Sequence, residues 1–145
     1  MKKLFLSLAI MLTSISAFAF EFDGINLNDD ALKVTRAISA KNYVTDPVRN
    51  CLKGNCQGNE IYLSFNLDDV TTKGKVGQLI VDVPMKNAEA YDNCVSLLNV
   101  IYHQVSKKDN GIVYAVDGDG TTLLIQKSAE GVKLTYNTPY YKAKK

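Results

Sequence analysis

The residues that could do chemistry are few and scattered. His103 is the sole histidine, so any nucleophilic triad or multi-histidine metal site must use it. Its nearest carboxylate on the same predicted helix is Asp92. Eleven residues of helix separate their axial positions by roughly 16 Å, too far for a compact acid–base pair. Asp117-Gly118-Asp119-Gly120 echoes part of a calcium loop. That loop needs glycine at its sixth position and a bidentate glutamate at its twelfth. Here glycine comes at the fourth and Ser128 at the twelfth, so a β-turn is expected. Asp68-Asp69 are adjacent carboxylates at a hairpin tip, with no walls to shift their pKa values toward glycosidase work. Neither a Gly-x-Ser-x-Gly elbow nor a phosphate-binding glycine loop occurs. No catalytic residue, cofactor site or metal site is assigned.

Cysteine is the other reactive group. Cys51-Leu52-Lys53-Gly54-Asn55-Cys56 reads as a tight loop that Gly54 and Asn55 let turn back, and a Cys51–Cys56 disulfide would close it. A bridge from either cysteine to Cys94 is the alternative. Cys94 falls beside the apolar stripe of a helix and is expected to be a buried, inert thiol. The Cys-x4-Cys spacing is not the redox Cys-x-x-Cys, and one histidine does not complete a zinc site.

Disulfide formation presupposes export, and the N-terminus supports it. Lys2 and Lys3 precede a short apolar run from Leu4 to Leu12, and Ala17-Phe18-Ala19 is a small-x-small cleavage site. The run is too short to span a bilayer, and no later segment is long enough to anchor the chain. Residues 1–19 are therefore expected to be a secretory signal cleaved after Ala19, with residues 20–145 a single periplasmic or secreted domain. The full chain holds 17 basic and 15 acidic residues. Removing Lys2 and Lys3 leaves 15 of each, a neutral domain with little drive toward nucleic acid.

The elements that must position these residues follow from periodicity. Leu27, Ala31, Val34 and Ile38 predict a helix over 29–40, with Asn28 as N-cap. Ala88, Tyr91, Val95, Leu98, Tyr102 and Val105 predict a second over 86–105. Strands are expected over 61–67, 78–83, 112–116, 122–127 and 132–136, joined by turn residues. No internal repeat is visible. The order α-β-β-α-β-β-β predicts a two-layer α+β domain, an antiparallel sheet of about five strands packed on two helices.

Phe22-Asp23-Gly24-Ile25-Asn26-Leu27, leading straight into an amphipathic helix, resembles the start of small bacterial periplasmic modules of the BamE and β-lactamase-inhibitory-protein type. The resemblance implies a protein-binding module. It covers about the first 20 mature residues and the gross helix–sheet order. A lipid-attachment cysteine is missing, and a second helix after the first hairpin departs from the helix-helix-sheet order. No functional residue carries over.

Eight tyrosines and no tryptophan suit a contact surface, since tyrosine buries area while keeping a polar tip. Tyr62, alternating onto the non-core face, and Tyr140 and Tyr141 near the C-terminus are the candidate partner contacts. The expected function is a small exported, non-catalytic binding protein: an inhibitor, an immunity protein or an envelope-assembly factor with a protein partner. The alternatives are a small-ligand or lipid carrier and a carboxylate-based hydrolase.

Overall fold

The computed structural model of the chain describes residues 21–22, 25–26, 30–56, 59–67, 76–85, 89–108, 110–115 and 120–139. The export signal, the Asp68-Asp69 tip, residues 117–119, Tyr140 and Tyr141 lie outside them. A short hairpin, β1 (Glu21–Phe22) and β2 (Ile25–Asn26), precedes helix α1 (Ala31–Ala40). A meander follows: β3 (Val44–Asp46), β4 (Cys51–Cys56), β5 (Asn59–Leu67) and β6 (Val76–Pro84). Helix α2 (Ala90–Ile101) leads to a second meander: β7 (His103–Lys108), β8 (Gly111–Ala115), β9 (Thr122–Lys127) and β10 (Gly131–Asn137).

The two meanders fuse into one eight-stranded antiparallel sheet, in the order β3-β4-β5-β6-β10-β9-β8-β7. This corrects the expectation of about five strands on two helices in the order α-β-β-α-β-β-β. The chain instead repeats one unit, a helix followed by a four-stranded meander, and the last strand of each unit meets the other at a central seam. There Val81 faces Leu134.

Three of the strands missed by periodicity carry little apolar signal. β3 and β7 are the sheet edges, and every residue of β7 is exposed. An edge strand with no buried face has no reason to alternate. In β4 the inward position opposite Ile61 is Gly54. The buried ring of Tyr43 lies directly on it, so an aromatic from outside the strand fills the place of a side chain within it. Helix α2 also stops early. Tyr102 adopts an extended backbone and its N–H makes the last helical bond to Leu98 at 2.8 Å. Sheet pairing then takes His103 and Val105 into β7, where local helical periodicity had placed them on α2.

Both helices cover the same face. Val34 and Ile38 of α1 and Ala90, Cys94 and Leu98 of α2 are buried in one cluster with Ile61, Leu63, Leu79, Val81, Val83, Tyr114, Leu123, Ile125, Val132, Leu134 and Tyr136. The α2 residues fall at steps of four, a stripe slightly rotated from the predicted one. The Tyr114 hydroxyl, inside this core, donates to Asn99 Oδ1 on α2 at 2.8 Å. A register shift sits between Asn66 and Leu67 opposite Gly77 on β6. There Thr138 Oγ1 donates to the carbonyls of Val76 and Gly77, at 2.6 and 3.1 Å, so this buried hydroxyl is satisfied.

Candidate functional site

Alternation that sends Leu63, Val81, Leu134 and Ile125 toward the helices sends their neighbours to the other face. Cross-strand register lines these up in rows. One runs Ser64, Ile80, Thr135, Leu124 and Val113 across the middle of the sheet. The next runs Lys53, Tyr62, Asp82, Lys133 and Gln126. A third includes Gln78 and Asn137, whose side-chain amides hydrogen-bond at 2.9 Å, and continues to Thr122. Ile80, Leu124 and Val113 are half-buried, and no described helix lies over them. The face therefore offers an apolar middle between a charged row and an amide row.

The charged row is built up by two turns. Between β3 and β4, Asp46 Oδ1 accepts the N–H groups of Val48 and Arg49 at 3.0 and 3.2 Å. This Asx turn, with Pro47 fixing the backbone and Asn50 at φ 54, aims Arg49 back over the sheet. Between β9 and β10, Ser128 N–H donates to the Gly131 carbonyl at 2.9 Å, and Gly131 N–H returns to Ser128 Oγ at 3.1 Å. The Glu130 carbonyl accepts Met85 N–H at 3.0 Å, which ties the turn to the end of β6. Gly131 is required here: a Cβ would run into the Val83 carbonyl and Met85 N.

Arg49 bridges the halves. Its guanidinium donates to both Glu130 oxygens, at 2.8 and 2.9 Å, and lies 4.1 Å above the centre of the Tyr62 ring. Such a planar fork matches a carboxylate and an aromatic face at once, which lysine cannot do. Donation from Arg49 holds Glu130 below the usual carboxylate range and pushes Arg49 up. Tyr62 donates from its hydroxyl to Glu60, which lowers Glu60 and raises Tyr62. Lys53 stands 3.6 Å from the same Glu60 carboxylate.

Below this bridge lies a cleft of about 250 Å³ lined by Arg49, Asp82, Val83, Pro84, Ser128, Ala129 and Glu130. Burial pushes the Asp82 carboxyl up, partly offset by Lys133, its cross-strand neighbour. Two carboxylates shifted in opposite directions are what acid–base hydrolysis uses. Here, however, both Glu130 oxygens already accept from Arg49, so Asp82 is the one left open in the cleft.

The sequence candidates fall as follows. Tyr62 is on the helix-free face but only 8% exposed, capped by Arg49. Cys51 and Cys56 begin and end one extended strand. Five steps of strand set their Cα atoms roughly 17 Å apart, whereas a disulfide needs less than about 7 Å. Cys51 is a free, half-buried thiol raised by burial, and Cys94 is free and fully buried. His103 is exposed on edge strand β7. Among the described residues no group of three or more His, Cys, Asp or Glu could hold a metal.

Arg49, Asp82, Glu130 and Lys133 were not singled out from the sequence. Ala129-Glu130-Gly131 is legible as turn chemistry, but nothing local says that it meets a turn 81 residues away. No family model matches the chain, and no curated protein or solved structure matches it.

Proposed function

We propose that the protein is an exported, non-catalytic binding module that engages a protein partner through the helix-free face of its sheet. The observation that carries this reading is the extent and patterning of that face. Eight strands span roughly 34 Å and a typical strand about 20 Å, on the order of 700 Å². That approaches the ~800 Å² each partner contributes to an ordinary specific interface. An apolar centre flanked by polar rows is the anatomy of such interfaces. The edges, by contrast, discourage strand addition: β7 carries Lys107, Lys108 and a register shift, and β3 is three residues long.

The test is differential capture from envelope extracts. The mature chain should retain a stoichiometric partner, and Leu124→Arg, which puts a charge in the apolar row, should lose it. Val100→Arg on the outer side of α2, where Val100 is 84% exposed, should bind as the parent does. Loss by both variants, or by neither, would count against the face.

A further inference from the structure

We propose that the cleft beside Asp82 seats one cationic side chain, lysine or arginine, of the protein partner. This rests on the reading of the sheet face as the contact surface, and names the chemistry at one end of it.

Four observations converge. First, the lining carries one cation and two carboxylates, a net charge of −1 (Arg49 against Asp82 and Glu130). Second, the charges are not equally engaged. Arg49 is held in a bidentate pair by Glu130, stands 4.0 Å from Asp46 and is stacked on Tyr62, so an incoming anion would compete with two carboxylates already in place. Among the described residues none donates a hydrogen bond to Asp82, and Lys133 acts on it without forming an ion pair. A partly buried carboxylate without a donor is a group that gains from an arriving cation. Third, Pro84 and Ala129 give the cleft an apolar wall for the methylene stem that lysine and arginine carry behind the charge. Fourth, at about 250 Å³ the cleft falls below the roughly 300–1,000 Å³ of small-molecule sites and suits a single anchoring side chain. A metal ion is disfavoured because only one carboxylate is unengaged.

The geometry also explains the bridge overhead. Arg49 and Glu130 neutralise each other, leaving Asp82 as the charge a partner reads. The ring of Tyr62 supports Arg49 from one side, 4.1 Å from the guanidinium carbon.

The experiment is an NMR titration of the ¹⁵N-labelled mature chain with Nα-acetyl-lysine methylamide. The norleucine analogue supplies the same stem without charge, and n-butylamine supplies the charge without a peptide. The lysine derivative should give saturable shifts at Asp82, Val83, Ala129, Glu130 and Gly131, and should lower the Asp82 titration midpoint. Asp82→Asn, isosteric and so expected to fold, should weaken it at least about tenfold, as for loss of a charged hydrogen bond. Lys133→Ala, which removes the competing cation, should tighten it. Opposite effects of the two variants are not what general loss of structure produces. Equal shifts from the norleucine analogue, or undiminished binding to Asp82→Asn, would overturn the proposal. So would no saturable shift in the tens-of-millimolar range. Tighter binding of n-butylamine than of the lysine derivative would overturn its protein-side-chain part. These outcomes are independent of the Leu124→Arg capture, so the cleft and the face can fail separately.

Discussion

Leu123 and Leu124 are neighbours on β9 with the same side chain and opposite surroundings. Leu123 has no exposed surface and packs under the helices in register with Tyr114 and Tyr136. Leu124 stands on the other face between Val113 and Thr135, half-buried. Truncating a fully buried leucine to alanine removes its transfer energy and leaves a cavity, together about 2–5 kcal/mol. Leu123→Ala should therefore cost about 3 kcal/mol, a large share of the ~5–15 kcal/mol that holds a domain folded. In a domain of this length, that lowers Tm by roughly 10 °C. Leu124→Ala gives up only the part of its area already shielded by sheet neighbours, so it should cost at most about 1 kcal/mol. Urea unfolding of residues 20–145 and both variants, with m-values checked for constancy, measures the difference. The reasoning is refuted if the two substitutions cost the same. A Leu124→Ala loss as large as that at Leu123 would mean that something packs on the face taken here as open.

Other expectations concern single groups. Tyr114→Phe keeps the ring and removes the hydroxyl that donates to Asn99; it should cost about 1 kcal/mol, and adding Asn99→Ala should cost little more, in a double-mutant cycle. The Cys94 thiol, enclosed and pushed up to about 12 by burial, should resist iodoacetamide at pH 8 until the chain unfolds, with mass spectrometry reporting which thiol is labelled. Asp82 binds its proton more readily folded than unfolded, because burial disfavours the charge. Its contribution to stability is present below its unfolded pKa and lost as pH rises through its folded one. Asp82→Asn should thus unfold later than the parent at neutral pH, and the gain should shrink on acidification. Glu130 has the opposite sign: donation from Arg49 holds it low, so its contribution exists above the unfolded carboxylate pKa and disappears as pH falls through the folded one. Glu130→Gln should flatten that part of the acid limb of a stability-against-pH curve.

The parts of the fold legible in the sequence are those where burial imposes a period. Val34 and Ile38 mark α1, and Leu79, Val81 and Val83 mark β6, because each faces a core on one side. β3 and β7 lie at edges, and β4 borrows Tyr43 to cover Gly54, so none of them alternates. The Cys51–Cys56 segment shows the hazard of reading Gly-Asn as a reversal. In a strand paired on both sides, Gly54 serves close packing instead of a turn. The site was less legible still. Alternation alone places Tyr62 on the non-core face, but its cover by Arg49 depends on how two distant turns meet across the seam. Asp82 looked like one polar residue of an alternating strand. Its isolation from donors is a property of the assembled sheet.

The proposal that the helix-free face is the working surface is tested most directly by amide hydrogen exchange of residues 20–145 with and without the protein that the capture experiment retains. Protection is predicted along β5, β6, β10 and β9, extending to the Ser128–Gly131 turn, with the outer side of α1 and α2 unchanged. Protection confined to the helices or to edge strand β7, with the central strands unaffected, would contradict it.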